Sequence, residues 1–283
     1  MRHPAVSGAF YPSSKTELGR LIEECFAKEA GLPPPAEFGS NPGLVSVVSP
    51  HAGFMYSGPV AAFSYREVAL SFREPPTFVI LGPNHTGLGA PLSLSREDWL
   101  TPLGPVKNDV SLGTAILGAS NGRIEANEQA HAAEHSIEVQ LPFLQFIFHG
   151  KEVRFVPICM GFQDYESSVA VAEAVLRASA AVKREILLIA SSDFTHFESA
   201  ESAKRKDSAA LAKLKALDAQ GFDAAVRAKR ATICGHGPIA SAIHYARLKG
   251  CRRGDVLKYA NSGEVTGDLN EVVAYCSAAF RLR

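Results

Sequence analysis

The clearest indication of the fold is a short apolar run that stops abruptly in turn residues, Leu44-Val45-Ser46-Val47-Val48-Ser49-Pro50-His51-Ala52-Gly53. Continuous apolar runs of this length are typical of strands that are buried on both faces of a sheet. Five later segments have the same character and predict further strands: residues 77–81, 153–158, 185–190, 256–260 and 272–280.

Helical periodicity separates these strand-like runs. Apolar residues recur at helical spacing after Ser14 and Thr16, either of which can cap a helix, and again between Ile137 and Phe148, where Pro142 favours a kink or a helix start. Further helices are predicted at residues 169–181, around residues 211–217 and at residues 238–248. Strands that alternate with helices predict a layered α/β fold, with a mainly parallel sheet flanked by helices.

The chain has no composition break that would divide it. Only residues 1–30 precede the Pro- and Gly-rich segment 31–43, which is too little for an independent domain, so residues 1–283 are expected to form a single domain. Lysine plus arginine equal aspartate plus glutamate at 29 each, which argues against nucleic acid as a partner. The sequence has no apolar run of about 18 residues, so no membrane span is expected. The five cysteines lie outside any CxxC pattern, and a reduced, cytoplasmic protein is expected.

Polar residues follow three of the predicted strands at equivalent places. His51 follows the first strand, His85 the second, and the pair Asp193 and His196 follows the strand at 185–190. Ligands bind in open α/β sheets beyond the carboxyl ends of the strands. A single histidine is more often a structural residue, but three at equivalent strand ends favour a shared site.

Cys234 lies in Thr232-Ile233-Cys234-Gly235-His236-Gly237-Pro238, directly before a predicted helix. Pro238 suits a first helical turn, so Cys234 is expected near the positive end of the helix dipole, which lowers a thiol pKa. The two glycines allow the backbone to approach another group closely. A tight turn with an incidental cysteine is the alternative interpretation.

A second pattern, His131-Ala132-Ala133-Glu134-His135, matches the inverted zinc-peptidase signature H-x-x-E-H. On a helix, histidines four residues apart share one face and bind zinc. Because the signature is short and a new helix start follows it, a zinc peptidase site at His131, Glu134 and His135 is the third and weakest hypothesis. His135 is also expected to line the pocket.

Taken together, these motifs resemble those of the Memo family, which is similar in fold to the LigB-type class III extradiol dioxygenases. The resemblance spans nearly the whole chain in the right order. The residues that carry it are 3–12 (HPAVSGAFYP), 49–58 (SPHAGFMYSG), 82–85 (GPNH), 134–143 (EHSIEVQLPF), 191–196 (SSDFTH) and Cys234-Gly235.

The resemblance implies a metal site. In the dioxygenases two histidines and a glutamate hold Fe(II), and His51 and His85 take the histidine positions while Cys234 stands in place of the glutamate. His196 corresponds to the acid/base histidine, and Asp193 is expected to orient it or to touch the metal. Because a thiolate is softer than a carboxylate, Fe(II) or copper is favoured and zinc is possible. The first hypothesis is therefore an iron- or copper-dependent redox protein with Cys234, Asp193 and His196 as catalytic groups.

The replacement of glutamate by cysteine also motivates an alternative. A protein that has lost the enzymatic reaction can keep the cleft as a non-catalytic module that binds a peptide or a small molecule. In either hypothesis the partner is a small molecule or a peptide, and Tyr56 and His135 are expected to line its pocket.

Overall fold

A computed structural model describes residues 1–282. Within that range eleven strands form one sheet that is flanked by helices, which confirms the predicted α/β fold. The sheet is mixed, and the mainly parallel pairing that the sequence predicted is found at its centre. The strands are β1 (Leu44–Ser49), β2 (Thr77–Pro83), β3 (Leu92–Leu94), β4 (Trp99–Thr101), β5 (Gly104–Asn108), β6 (Glu125–Ala126), β7 (Arg154–Met160), β8 (Ile186–Ser191), β9 (His196–Glu198), β10 (Gly254–Asn261) and β11 (Val272–Arg281).

The helices lie on both faces of the sheet. Ser14 caps the first of them by accepting a hydrogen bond from the Glu17 N–H, and Pro142 lies in the first turn of the fourth, where its missing N–H costs nothing. The helices are α1 (Lys15–Cys25), α2 (Phe54–Ser71), α3 (Val110–Ala119), α4 (Leu141–Ile147), α5 (Tyr165–Ala181), α6 (Ala200–Lys215), α7 (Ala219–Lys229), α8 (His236–Leu248) and α9 (Gly263–Thr266), with a π-helical turn at Phe26–Ala30 and 3₁₀ turns at Pro35–Glu37 and Glu138–Gln140.

The four central strands of the sheet are parallel, whereas the outer strands pair in both orientations. The spatial order is β10-β11-β1-β8-β2-β7-β3-β6, with β1, β8, β2 and β7 parallel to one another. The strand β11 runs antiparallel to both β1 and β10, and β3 runs antiparallel to β7. Because β8 lies between β1 and β2, the turns after these three strands emerge side by side.

Alternate residues of the central strands pack into two separate hydrophobic cores, one on each face of the sheet. In β2, Phe78 and Ile80 join a core with α1, α2 and α4, while Val79 and Leu81 join a core with α3, α5 and α8. A strand presents successive side chains to opposite faces, so burial on both faces explains why these runs are continuously apolar. No helix within residues 1–282 is long and apolar enough to cross a membrane.

Helix α2 was not predicted, although it follows the turn that carries His51. It contains Gly58 and Pro59 and is apolar on most sides, so it lacks the one-sided pattern of a surface helix. Gly58 is required by packing, because a Cβ at this position would lie 2.4 Å from the Cys25 Sγ. The close contact lets α1 cross directly over α2.

Candidate metal site

Three neighbouring strand ends deliver the residues that the sequence singled out. His51 follows β1, Asp193 follows β8 and His85 follows β2, in the order in which these strands lie in the sheet. The parallel register pairs Ser49 with Ser191 at the ends of β1 and β8. The structure therefore places the predicted residues together at the carboxyl ends of the central strands, where open α/β sheets bind ligands.

His51, His85 and Cys234 converge. One ligand atom from each lies within 4.8 Å of the others. The His51 Nε2 is 3.2 Å from the Cys234 Sγ, and the rings of His51 and His85 are 5.3 Å apart between centroids. Two imidazoles and one thiol at these separations fit the nitrogen and sulfur ligands of zinc, copper or thiolate-bound iron.

Cys234 reaches the site because its loop packs tightly on the turn after β8. A Cβ at Gly235 would lie 2.5 Å from the Ser191 carbonyl oxygen, which confirms that the glycine permits a close backbone approach. The Cys234 Sγ accepts a hydrogen bond from the Asp193 N–H at 3.3 Å. Helix α8 begins at His236, and Pro238 lies in its first turn as predicted.

The expected lowering of the thiol pKa was wrong for the metal-free protein. Burial raises the pKa of Cys234, and the charge of Asp193 raises it further, so the thiol is protonated at neutral pH. These two effects outweigh the helix terminus because the sulfur is desolvated beside a carboxylate. A bound cation reverses this balance, since metals deprotonate a coordinating thiol.

Glu134 orients His85. Its Oε1 lies 2.9 Å from the His85 Nδ1 and also accepts the N–H groups of His135 and Ser136, and its Oε2 accepts the His85 N–H. Burial by itself raises the pKa of Glu134, but the hydrogen bonds and charge of His85 and the backbone donors lower it to about 2. The carboxylate is thus ionised, holds the His85 Nδ1–H, and leaves Nε2 free for a metal.

The same carboxylate affects the protonation of His85. Burial lowers the pKa of His85, but the hydrogen bond and charge of Glu134 more than compensate and raise it overall. His51 behaves in the opposite way, because burial and the neighbouring imidazoles lower its pKa well below its usual range. The pKa values of the two predicted ligands are therefore shifted in opposite directions.

His135, predicted to line the pocket, lies beside His51 and His85. Its ring stacks on that of His85 with centroids 4.8 Å apart and meets the edge of His51 at 5.6 Å. The Phe10 ring contacts its other side at 4.7 Å. Ligand atoms of His85, Glu134 and His135 also lie within 4.8 Å of one another, so His135 is a further nitrogen donor beside His85.

Asp193 and His196 have separate hydrogen-bond partners. The Asp193 Oδ1 accepts the backbone N–H groups of His51 at 2.8 Å and Ala52 at 3.3 Å, so it fixes the turn that carries His51. The His196 Nδ1 lies 2.9 Å from the Thr232 carbonyl oxygen, which makes Thr232 rather than Asp193 the residue that orients this ring. Burial raises the pKa of Asp193 to about 6.

The zinc-peptidase hypothesis fails on geometry. Residues 131–135 do not form a helix, so His131 and His135 do not share a helix face. The His131 Nε2 instead lies 3.0 Å from the Ser93 carbonyl oxygen, and its ring packs against Trp99. Glu134 belongs to His85, as described above, and not to a separate zinc centre.

Two residues that contact the site, Ser191 and Gln140, were not predicted from the sequence. The Ser191 Oγ lies 2.9 Å from the His51 Nδ1, and Gln140 donates to the same oxygen. Both are fully buried polar residues in otherwise apolar surroundings, which was the available signal. Tyr56, predicted to shape the pocket, lies at the start of α2 and packs with Val60 and Tyr275.

Comparison with known proteins identifies related chains. The family described as "Memo-like protein" matches residues 2–279. A MEMO1 family protein of Methanopyrus kandleri is 43% identical over 282 residues, covering 99% of both chains. A MEMO1 family protein of Methanosarcina acetivorans is 42% identical over 277 residues, covering 98% of both chains.

Among solved structures, an uncharacterized protein from Escherichia coli K12 superposes with a TM-score of 0.54 at 10% sequence identity. The match covers 83% of this chain and 99% of the other. At this identity the likeness concerns the fold alone. From the full-length sequence matches it follows that this chain belongs to the Memo family.

Proposed function

We propose that this protein is a metal-dependent redox protein that holds iron or copper through His51, His85 and Cys234. The observation that carries the proposal is the convergence of one ligand atom from each residue within 4.8 Å, although the three are far apart in sequence. Their burial is graded, with His51 buried, Cys234 intermediate and His85 exposed. A metal held there would face solvent on the His85 side, where a substrate can reach it.

The donor set favours particular metals. Thiolate and imidazole together suit copper, zinc and thiolate-ligated iron better than magnesium or calcium, which prefer oxygen ligands. When bound, iron or copper would supply a one-electron redox couple, whereas zinc would act only as a Lewis acid. The redox proposal therefore depends on iron or copper being the metal that the protein takes.

Several residues around the site can take up or release a proton. The Cys234 thiol faces the His51 Nε2 and must lose its proton when a metal binds. His196 keeps one ring nitrogen available, because its Nδ1–H donates to the Thr232 carbonyl and Nε2 is left as an acceptor. Asp193, with a pKa of about 6, is a second group that can exchange a proton near neutral pH. We assign acid/base roles to His196 and Asp193 on this basis.

The test is anaerobic reconstitution with Fe(II) or Cu(I), followed by elemental analysis. We expect near-stoichiometric metal in the wild type and loss of that metal in His51→Ala and Cys234→Ser. Cys251→Ser is the matched control, because Cys251 is a buried cysteine just after α8 and outside the site. Equal metal content in all four proteins would defeat the proposal. If the wild type binds metal as expected, the loaded protein is assayed for oxygen- or peroxide-dependent turnover.

A second candidate function, a binding module for a peptide or small molecule, is favoured by the loops around the site. Large apolar side chains are exposed on the segments that follow the central strands, namely Met55 after β1, Leu88 after β2, Phe162 after β7 and Phe197 after β8. Exposed apolar side chains that gather at one edge of a sheet are typical of interaction sites. Binding that persists in chelator and in Cys234→Ser would support this function, and loss of binding on metal removal would count against it.

A further inference from the structure

The hydroxyl of Ser191, at the end of β8, has three close polar partners. Its Oγ lies 2.6 Å from the Ser136 carbonyl oxygen, 2.7 Å from the Gln140 Nε2 and 2.9 Å from the His51 Nδ1. All four residues are at most 2% exposed, so the hydroxyl has only these neighbours with which to pair. A serine hydroxyl offers one hydrogen and two acceptor lone pairs, which is one position for each partner.

The direction of two of these hydrogen bonds follows from the chemistry of the partners. A carbonyl oxygen can only accept, so the single Ser191 hydrogen points to Ser136. The Gln140 amide nitrogen can only donate, so it occupies one lone pair of the hydroxyl. The third partner, the His51 Nδ1, therefore faces the remaining lone pair and has to be the donor.

The orientation of the Gln140 amide is fixed independently of Ser191. Its Nε2 also donates to the Pro50 carbonyl oxygen at 3.0 Å, and its Oε1 accepts the Tyr65 hydroxyl at 2.5 Å. A flipped amide would place its oxygen against the Pro50 carbonyl and its nitrogen against the Tyr65 hydroxyl, and would leave the buried carbonyl without its donor. Tyr65 is fully buried and stacks on Phe143, so its hydroxyl is itself held in place.

We propose that Ser191, held by Gln140 and Tyr65, is a positioning residue that fixes His51 in the Nδ1–H tautomer and so presents the Nε2 lone pair to a metal. The Nε2 atom is the one that faces the Cys234 sulfur at 3.2 Å. The opposite tautomer would bring the Nδ1 lone pair against the Ser191 lone pair in a dry environment, and would block Nε2 with a proton. Tyr65, Gln140 and Ser191 form a neutral chain that selects the tautomer without a charged group.

The tautomer assignment concerns the metal-free protein, whereas its consequence for metal affinity rests on the proposed function. Groups that bind the non-ligating nitrogen of a metal-bound histidine typically contribute about 10–100-fold to metal affinity. We therefore expect Ser191→Ala to weaken Fe(II) binding by about 10–100-fold. Tyr65 lies three hydrogen bonds away from the His51 ring, so Tyr65→Phe should weaken metal binding less.

The first experiment records long-range ¹H–¹⁵N correlations of ¹⁵N-histidine-labelled, metal-free protein at neutral pH, with His51 assigned through His51→Gln. We expect the Nδ1–H pattern in the wild type and a shift towards Nε2–H in Ser191→Ala. An Nε2–H pattern in the wild type would overturn the assignment, whether or not the protein binds iron.

The second experiment measures anaerobic Fe(II) affinity for the same proteins. The matched control is Ser46→Ala in the adjacent strand β1. This substitution removes a buried hydroxyl, which donates a hydrogen bond to the Ala242 carbonyl oxygen. Wild-type tautomer and affinity in Ser191→Ala would refute the positioning role. If Ser191→Ala does not fold, Tyr65→Phe decides the same question. An Nδ1–H signal in wild-type protein that binds no metal would refute the proposed function and leave the tautomer assignment intact.

Discussion

The two halves of the site hold their imidazoles in opposite ways. On one side the His85 side chain, which is 35% exposed, is bound by the ionised carboxylate of Glu134, whose pKa is lowered to about 2. On the other side His51, which is 2% exposed, is bound by the neutral hydroxyl of Ser191. The buried carboxylate nearest to His51, Asp193, has its pKa raised to about 6.

The difference follows from the number of donors that each carboxylate receives. Glu134 accepts three backbone N–H groups and one imidazole N–H, whereas Asp193 accepts two backbone N–H groups through a single oxygen. Enough donors outweigh the cost of burying a carboxylate, and too few do not. The His85 half is therefore stabilised by its charges, while the His51 half carries an ionisable group at an energetic cost.

The largest expected effect concerns Arg2, which supports the His85 half from behind. Its guanidinium forms a buried ion pair with Glu138 at 2.8 Å, donates to the Glu134 carbonyl oxygen and lies over the Trp99 ring. Removing one partner of a buried ion pair costs about 3–5 kcal/mol, so Arg2→Met should lower the free energy of unfolding by about that amount. Denaturant titration measures it, with the exposed Arg20→Met as control. A loss no larger than that of the control would show that the buried ion pair does not stabilise the fold.

The second largest loss of stability is expected for Glu134→Gln. A carboxyl pKa of about 2 in the folded protein, against 4.5 in the unfolded chain, corresponds to about 3 kcal/mol of stability at neutral pH. Because the folded pKa is the lower one, this stability is present above about pH 4.5 and is lost as the pH falls towards 2. We expect Glu134→Gln to be less stable at pH 7 by up to about 3 kcal/mol and the difference to shrink in acid. A difference that is constant with pH would show that charge is not its cause.

Asp193→Asn should have the opposite sign. A pKa raised from 3.8 to about 6 means that the folded protein resists ionisation of Asp193, so stability falls as the pH rises through this range. The asparagine oxygen can still accept the N–H groups of His51 and Ala52. We expect the variant to be more stable than wild type at pH 7 by about 1–3 kcal/mol and equally stable near pH 4, as measured by thermal or denaturant unfolding. Destabilisation at pH 7 would reject the proposed contrast with Glu134.

The smallest effect is on the pH dependence of metal binding. Cys234 is protonated throughout the neutral range, so metal binding releases the thiol proton, and below the raised pKa of His85 it also releases an imidazole proton. The logarithm of the metal affinity should then rise with pH with a slope of about two below that pKa and about one above it. In Glu134→Gln the change of slope should move to lower pH. A slope that is the same in both proteins would remove Glu134 from this role.

Much of the fold could be predicted from the sequence. The strands before His51, His85 and Asp193 are recognisable because they are buried on both faces and are followed by polar or turn-forming residues. The strands β3 to β6 and β9 are five residues or shorter and carry no sustained pattern, and α2 is apolar on most sides. These elements are specified by tertiary packing, which no local pattern reports.

The ligand candidates were predictable because they directly follow recognisable strands, but their hydrogen-bond partners were not. Strand order brings β1, β8 and β2 together, so His51 and His85 meet at one edge. Glu134, Gln140 and Ser191 come from other parts of the chain, and their bonds to the imidazoles depend on side-chain geometry across the sheet. The lowered thiol pKa was wrongly predicted because helix position is visible in a sequence and desolvation is not.

X-ray absorption spectroscopy of the protein reconstituted anaerobically with Fe(II) or Cu(I) would identify the ligand atoms directly. We expect one sulfur ligand and at least two imidazole nitrogens, with the sulfur contribution lost in Cys234→Ser and retained in Cys251→Ser. A spectrum with only oxygen and nitrogen ligands that Cys234→Ser leaves unchanged would contradict a site built from His51, His85 and Cys234.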